Sequence, residues 1–192
     1  MCSSDLGLSE EARKGMQVDL SQMEAIIAQF LDYARPAEPG SFGIYDLGAA
    51  IAKIAAESSR HRDNQIEISV TEDLQARCNP TEIGRVISNL IENARRYGKT
   101  PGKDIAELNI RARREGMQVM IEVADRGMGL PEDQIAHVLR PFTRLDSARG
   151  QANGAGLGLA IVDRVIQRHQ GRLEIKNREG GGLTVRVWLE AV

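Results

Sequence analysis

The segment NLIENARRYG places two asparagines four residues apart on a predicted helix. Asn89 and Asn93 lie on one stripe with Arg96 and Tyr97, because residues three or four apart share a side of a helix. The apolar stripe of the helix, which includes Leu90, runs alongside. The asparagines therefore border the core, where their amides could bind a polar ligand, although a lone asparagine in such a place is more often a structural hydrogen-bonding residue.

Two glycine-bearing segments could approach such a ligand. The run DRGMG, residues 125–129, follows a predicted strand, so Asp125 lies at a strand end and two glycines permit close approach to the backbone. The run GAGLGL, residues 154–159, opens a predicted helix whose free N–H groups favour an anion such as phosphate. Each run alone is a weak signal, and the first is most often a simple turn. Leu159 rules out the dinucleotide motif G-x-G-x-x-G, and the sequence contains no G-x-x-x-x-G-K-[ST] phosphate loop.

A long first helix is predicted from apolar residues spaced three and four apart, which end before Pro36. This spacing is typical of the seam of a coiled coil or helical bundle, although an amphipathic helix docked on the main domain would share it. The seam comprises Met16, Leu20, Met23, Ile27, Phe30 and Ala34. The stretch PAEPGSFG that follows is predicted to be a linker.

The rest of the chain alternates between short helices and strands. Asp46 and Asn79 are predicted to cap two helices, and a hairpin is predicted around Glu115-Gly116. The predicted strands cover residues 66–70, 76–78, 105–113, 117–124, 172–177 and 183–189, and the predicted helices cover 46–57, 80–97, 131–139 and 157–169. This order predicts an α+β fold, a two-layer α/β sandwich in which about three helices cover a mixed, mostly antiparallel sheet, preceded by the long helix.

The composition is that of a globular protein with a mixed surface. Of the 192 residues, 42% are hydrophobic, and a net charge of -2 gives no indication of nucleic-acid binding. The apolar stretches are shorter than the roughly 20 residues that cross a bilayer, so no membrane segment is expected. Cys2 and Cys78 lie in unlike settings, which predicts no disulfide and a reducing, cytoplasmic location.

Taken together and in order, the motifs resemble the nucleotide-binding boxes of bacterial sensor histidine kinases. The matching features are Asn89 with Asn93, the DRGMG run, Pro141-Phe142 and the GAGLGL run. The stretches QFLDYAR, RYG, RPFTRLDSAR and GLGLAIV are similar to osmosensing members of the family, and the resemblance covers nearly the whole chain from about residue 10. It implies an ATP-binding sandwich of the kind shared with gyrase, Hsp90 and MutL.

The resemblance also implies a domain organisation. Residues 7–35 would be the second helix of a dimerisation and phosphoacceptor domain whose first helix is absent, and 36–45 would be the linker. Residues 46–192 would form the ATP-binding catalytic domain, with a mobile lid at about 131–153. Residues 1–6, MCSSDL, match the translated end of a common sequencing-library adapter read from a GTG start, so we expect a non-native leader.

Individual roles follow from the same resemblance. Asn93 would bind Mg²⁺ through its amide oxygen, a hard and neutral ligand that adds no repulsion against a triphosphate, and Asn89 would support the same ion. Asp125 would accept a hydrogen bond from the adenine amino group, which guanine lacks, and so select ATP over GTP. The other implied contacts are Arg96 (phosphate charge), Tyr97 (adenine), Gly127 and Gly129 (approach of the base), Phe142 (anchor of the lid), Gly154, Gly156, Leu157 and Gly158 (phosphates) and Thr184 (adenine pocket, or an ordinary strand threonine).

The resemblance predicts transfer and not hydrolysis. ATPases of this fold place a water-activating glutamate where this chain has Asn89, so bound ATP should be hydrolysed slowly. Glu92, the neighbouring carboxylate, is expected to face solvent.

The family's acceptor histidine lies in a motif H-[ED]-x-[RK]-[ST]-P, and neither His61, His137 nor His169 has that context. His61 and His137 are expected in polar surface segments, and His169 at a helix end where a cation suits the dipole.

The chain is therefore expected to be a protein histidine kinase fragment that phosphorylates a separately supplied acceptor domain. In the parent, a membrane-anchored homodimer would pass the phosphoryl group to a response regulator. A non-catalytic ATP-sensing adaptor and a serine kinase acting on an anti-sigma partner are the alternatives.

Overall fold

The computed structural model describes residues 10–36, 42–143 and 155–192. The helices in these ranges are α1 (Glu10–Ala34), α2 (Leu47–Ser58), α3 (Pro80–Tyr97) and α4 (Gly158–Arg168), with a short 3-10 helix at Glu132–Gln134. The strands are β1 (Gly43–Asp46), β2 (Asn64–Val70), β3 (Gln75–Cys78), β4 (Ala106–Glu115), β5 (Gln118–Ala124), β6 (Arg172–Asn177) and β7 (Leu183–Glu190). The predicted leader, residues 1–6, lies outside the described residues.

Five strands form one sheet in the order β2-β4-β5-β7-β6. β2 and β4 are parallel, because the chain between them crosses over through α3, and the other neighbouring pairs are antiparallel. Apolar side chains of α2, α3 and α4 share one core with a single face of the sheet. β1 and β3 form a separate antiparallel pair. The predicted α+β sandwich with a mixed, mostly antiparallel sheet is confirmed.

α3 begins where the sequence predicts. The side-chain oxygen of Asn79 accepts hydrogen bonds from the N–H groups of Thr81 and Glu82 at 3.0 and 3.2 Å, and Pro80 takes the first helical position. The apolar stripe of the helix is buried in the core at Ile83, Val86, Ile87 and Leu90. Burial of this stripe fixes the rotation of α3 and leaves the asparagine stripe at the rim of the core.

Two segments differ from the sequence-based expectations. Gly43–Asp46, mostly within the predicted linker, form β1, because pairing with β3 satisfies their backbone groups. Residues 131–139, predicted to be a helix, contain the 3-10 helix Glu132–Gln134 followed by turns. No side chain of that 3-10 helix is buried, and Ile135, Val138 and Leu139 pack against the core from the turns that follow. Tertiary contacts here override the local helical pattern.

α1 contacts the sandwich through its C-terminal turns. Arg85 of α3 forms an ion pair with Asp32 at 2.6 Å, and Arg164 of α4 donates to the backbone oxygen of Tyr33 at 2.8 Å. The apolar seam from Met16 to Phe30 is about half exposed. Docking at one end therefore coexists with an open seam along the helix. None of the described helices is long and apolar enough to span a bilayer.

His169 is buried, which corrects the expectation of a cation at a helix end. Its Nε2 accepts a hydrogen bond from the backbone N–H of Asn79 at 3.1 Å, and its Nδ1 lies 2.8 Å from the backbone oxygen of Val165. Because Nε2 is an acceptor, Nδ1 carries the proton and the ring is neutral. Burial lowers the pKa of His169, although the Val165 oxygen and the Glu82 carboxylate oppose that shift.

We expect this neutral ring to make the free energy of unfolding depend on pH. An unfolded histidine binds a proton near its ordinary pKa of about 6.5, whereas folded His169 does so only at lower pH. The stability that the neutral ring contributes is therefore fully present above about pH 6.5 and is lost as pH falls, by at most about 1.4 kcal/mol per pH unit. Urea unfolding at a series of pH values below about 6.5 should show that the free energy of unfolding depends less steeply on pH in H169Q than in wild type. The same slope in both proteins would contradict the prediction, and H137Q, at an exposed histidine, is the control.

Candidate nucleotide-binding site

A pocket, which we call the α3–β7 pocket, opens between α3 and the adjoining ends of β5 and β7. α3 contributes Asn93 and Tyr97, and the chain after β5 contributes Asp125 and Gly129. The remaining lining is apolar and comprises Leu90, Ala94, Val123, Leu130, Leu183 and Val185. The structure thus brings together four residues that the sequence analysis selected. Apolar walls with a few polar groups are typical of pockets for small aromatic ligands.

Asp125 is a buried carboxylate with one oxygen committed to the backbone. Its Oδ1 accepts hydrogen bonds from the N–H groups of Gly127 at 2.8 Å and Leu183 at 3.1 Å. Its Oδ2 accepts none from the described residues, and the side chain lines the pocket. Burial raises the pKa of Asp125, and the two backbone N–H groups and Arg178 offset part of that rise. Oδ2 is therefore available to a donor in the pocket, such as the exocyclic amino group of a base.

The N-terminus of α4 faces the asparagine stripe of α3. Leu157, which precedes the helix, makes no side-chain capping hydrogen bond, so the first N–H groups of α4 can meet an anion. A Cβ placed on Gly158 would lie 3.4 Å from Oδ1 of Asn89 and 3.9 Å from Oδ1 of Asn93. Glycine at this position therefore keeps the space between the two amide oxygens and the helix end free of a side chain.

The two amide oxygens also suit a magnesium ion. Nδ2 of Asn89 donates to the backbone oxygen of Arg85 at 2.9 Å, which leaves Oδ1 to face Gly158. The described residues contain no cluster of three or more His, Cys, Asp or Glu side chains that could hold a metal ion. Neutral, hard oxygens in small number fit Mg²⁺ that takes its other ligands from phosphate and water, and do not fit an ion enclosed by carboxylates.

Comparison with known proteins shows the family of the chain. Residues 78–192, more than half of the chain, match the family described as histidine kinase-, DNA gyrase B-, and HSP90-like ATPases. The chain belongs to this family. Its predicted relationship to the ATP-binding domains of sensor histidine kinases is confirmed by curated relatives and by solved structures.

The alginate biosynthesis sensor protein KinB of Pseudomonas aeruginosa is 29% identical over 171 residues, which cover 85% of this chain and 28% of KinB. The solved histidine kinase domain of the E. coli osmosensor EnvZ is 31% identical, with a TM-score of 0.60 over 82% of this chain and 93% of that one. The mycobacterial sensor histidine kinase MprB is 26% identical, with a TM-score of 0.68 over 78% and 98% of the two chains. The chain spans 22% to 40% of the length of its curated relatives. It is therefore an ATP-binding catalytic domain of the histidine kinase type.

In this histidine kinase-type domain, Gly127 makes room for the protein's own backbone. A Cβ on Gly127 would lie 2.7 Å from Cα of Gly98, and a Cβ on Gly98 would lie 2.5 Å from Cβ of Asp125. The chain after β5 therefore packs directly on the C-terminal end of α3. The sequence interpretation, in which Gly127 lets the base approach, applies better to Gly129, which lines the pocket with a φ of +72°.

We expect Gly127→Ala to destabilise the ATP-binding domain and to weaken ATP binding. The added methyl group forces α3 and the chain after β5 apart, and overpacking of this kind costs about 1–3 kcal/mol. ATP binding weakens because Asn93 and Asp125 lie on the two separated elements. Urea unfolding and calorimetry measure the two effects. Gly84→Ala is the control, because a Cβ there would meet its nearest atom at 3.6 Å, an ordinary contact; equal stability of the two variants would contradict the prediction.

Some residues assigned to the phosphates or the lid are placed differently from the expectation. Leu157 is fully buried, so it presents no surface to a ligand in this structure. Phe142 is 59% exposed with a φ of +62°, so its side chain does not anchor the lid by burial, although a Cβ on Gly156 would meet the backbone of Phe142 and Thr143. Gly154 and residues 144–153 of the predicted lid lie outside the described residues.

Arg96 and Glu92 bind each other, with Arg96 Nε 2.5 Å from Glu92 Oε1. Arg95 donates to both Glu92 oxygens at 2.8 and 2.9 Å. Although burial alone would raise its pKa, the hydrogen bonds from the two arginines hold the pKa of Glu92 below its ordinary value. Glu92 is thus a paired carboxylate and not the freely solvated charge that was expected. The phosphate contact of Arg96 stays a prediction, because its Nε faces Glu92 in this structure.

In β7, only alternate side chains face the α3–β7 pocket. Leu183 and Val185 line it, and side chains alternate along a strand, so Thr184 lies on the opposite face of the sheet. Thr184 was predicted to line the pocket, and its neighbours Leu183 and Val185 were not. Alternation with the core residues Val187 and Leu189 was the signal that could have found them.

Proposed function

We propose that this chain binds Mg-ATP in the α3–β7 pocket and transfers the γ-phosphoryl group to a histidine on a separately supplied acceptor helix. The observation that carries the proposal is a convergence of two kinds of site. Oδ2 of Asp125 offers an acceptor in an apolar pocket, while the amide oxygens of Asn89 and Asn93 and the uncapped start of α4 meet around Gly158. An adenine base joined to a phosphate chain satisfies both.

Asp125 would select adenine by hydrogen bonding. The amino group of adenine can donate to Oδ2, whereas guanine presents a carbonyl oxygen at the equivalent position, and two acceptors repel each other. Leu90, Leu130 and Val185 supply apolar walls for the flat base, and the ring of Tyr97, which is 42% exposed, borders the same pocket.

The phosphate chain would extend towards α4. The first N–H groups of α4 would donate to phosphate oxygens, with the positive end of the helix dipole behind them. Asn93 would hold Mg²⁺ through its amide oxygen and Asn89 would support it. When bound, the ion neutralises charge on the phosphate oxygens during transfer. The neutral amides keep the ion's charge available for the phosphates.

In the transfer step, a ring nitrogen of the acceptor histidine attacks the γ-phosphorus. The bond from that phosphorus to the oxygen bridging the β- and γ-phosphates breaks, ADP leaves and the imidazole proton passes to solvent. Asn89 cannot act as a base, and Glu92 is held by Arg95 and Arg96. We therefore expect slow hydrolysis of bound ATP.

The proposed acceptor and partners are outside this chain. His169 is buried with both ring nitrogens in contact with the backbone, and His61 and His137, although exposed as predicted, lack the acceptor motif. The exposed seam of α1 supports a homodimeric parent, and relatives such as KinB and EnvZ are sensor proteins. We propose a parent anchored in the bacterial inner membrane that passes the phosphoryl group to a response regulator.

A trans-phosphorylation assay tests the proposal. The chain is incubated with radiolabelled Mg-ATP and the purified acceptor-helix domain of a sensor histidine kinase, and we expect label on the acceptor that is lost in acid and stable in base. Labelling of the chain itself would contradict the absence of an acceptor. ATP binding without transfer to any acceptor would favour a nucleotide-sensing adaptor, which the exposed seam of α1 could also serve. Acid-stable label would indicate a serine kinase.

A further inference from the structure

Asn177, which does not line the α3–β7 pocket, holds one of its walls. Asn177 is the last residue of β6. Its Nδ2 donates to the backbone oxygen of Leu130 at 2.7 Å, and its Oδ1 accepts from the backbone N–H of Leu130 at 2.8 Å. The carboxamide thus satisfies both backbone groups of Leu130, as a residue on a neighbouring antiparallel strand would do. Leu130 lines the pocket.

This pair of bonds matters because the pocket wall has little other attachment. The chain from Asp125 to Pro131 has no regular secondary structure. Among the described residues, Asn177 provides the hydrogen bonds made by the stretch 128–130. Without them, the wall formed by Gly129 and Leu130 is free to move away from the sheet.

Gly129 leaves space for the carboxamide of Asn177. Its φ of +72° already favours glycine, and a Cβ at this position would lie 2.6 Å from Oδ1 of Asn177. Glycine at position 129 therefore gives the carboxamide access to the backbone of Leu130. The two residues form one interlocked contact, although 48 positions separate them in the sequence.

We propose that Asn177 is a positioning residue for the nucleotide, which sets the affinity for the adenine base by fixing the Gly129–Leu130 wall of the pocket. The inference rests on the proposed function. Asn177 is exposed and lies outside the pocket, so it acts through Leu130 and not on the phosphates. It should influence ATP binding and leave the transfer step unchanged.

The test compares Asn177→Ala with Asn177→Asp. Aspartate has nearly the shape of asparagine, but its second oxygen faces the carbonyl oxygen of Leu130 and repels it. We expect both variants to raise the KM for ATP in trans-phosphorylation by about fivefold, with kcat within about twofold of wild type, because lost hydrogen bonds of this kind have a modest net value. A role in packing alone predicts that Asn177→Asp behaves like wild type, and that result would overturn the inference.

Hydrogen exchange without nucleotide separates this inference from the proposed function. The Leu130 amide should be protected in wild type and exchange faster in Asn177→Ala. Asn109→Ala is the matched control, because Asn109 is a half-buried strand asparagine whose carboxamide binds Glu67 on the face of the sheet opposite the pocket. Failure of wild type to bind ATP would refute the proposed function and with it the effect of Asn177 on affinity, while the exchange of the Leu130 amide would still show whether Asn177 fixes the wall. An unprotected Leu130 amide in wild type would refute the role of Asn177 and leave the proposed function standing.

Discussion

Asp125→Asn is expected to weaken ATP binding by on the order of 100-fold. Asparagine can keep the acceptor that receives the N–H groups of Gly127 and Leu183. Its amide nitrogen then replaces Oδ2, so a donor meets the donating amino group of adenine in a buried pocket. GTP should lose less affinity than ATP, because the amide nitrogen can donate to the carbonyl oxygen of guanine.

The same substitution should leave the ligand-free domain at least as stable as wild type. Burial raises the pKa of Asp125 above its unfolded value, so the folded protein holds this proton to higher pH than the unfolded chain does. Stability therefore falls as pH rises through that window, and the ionised carboxylate is a net cost above it. Asparagine should remove this cost, and the two results together would show that Asp125 serves binding at the expense of stability.

Calorimetry with ATP and thermal unfolding without it measure the two effects. Asp104→Asn is a matched control, because it removes one negative charge at an exposed aspartate. Loss of binding accompanied by a large fall in melting temperature would mean that Asp125 has a structural role, and unchanged binding would place the adenine elsewhere. In wild type, ATP affinity should also decline as pH falls through the raised pKa of Asp125.

Asn93→Ala is expected to lower phosphoryl transfer by on the order of 100-fold or more, because the proposed Mg²⁺ loses its protein ligand. Binding of ATP without magnesium should change by less than about twofold, since the contacts of the base with Asp125 and the apolar walls remain. Asn93→Ala should therefore lose only the part of its affinity for ATP that depends on magnesium.

Removal of the ion gives an independent comparison. Wild type in EDTA should bind ATP as Asn93→Ala does, and EDTA should have no further effect on the variant. Asn109→Ala should retain full magnesium dependence, because the side chain of Asn109 binds Glu67 on the face of the sheet opposite the pocket. Full magnesium-dependent transfer by Asn93→Ala would show that another residue holds the ion.

The parts of the site that lie on one element could be predicted from sequence. Helical spacing places Asn89, Asn93 and Tyr97 on one stripe at the rim of the core. In the structure, Asn89 and Asn93 lie near Gly158, and Asn93 and Tyr97 line the pocket. The position of Asp125 at the end of a strand could be predicted for a similar reason, because the alternation of apolar and polar residues stops where a strand ends. The segment 131–139 could not be predicted in this way. Its apolar residues Ile135, Val138 and Leu139 have helical spacing and pack against the core, but they do so from turns, because tertiary contacts override a local pattern.

Contacts between distant parts of the chain had no signal in the sequence. Asn177 meets Leu130 across 47 positions, and His169 meets Asn79 across 90. Each contact depends on how β6 or α4 packs against elements far away in the chain, and a lone asparagine or histidine is compatible with many partners. Propensity and periodicity describe neighbours within about two helical turns or a strand, and carry no information on such partners.

By itself, the sequence determined the helices and strands other than β1 and the segment 131–139, the α+β class and the polar stripe beside a core, because periodicity and capping act locally. The tertiary structure alone decided that Leu183 and not Thr184 lines the pocket, that Glu92 is paired with arginines and that His169 is neutral. The physical reason is that burial and hydrogen-bond partners, which set these properties, arise only when elements far apart in the chain pack together.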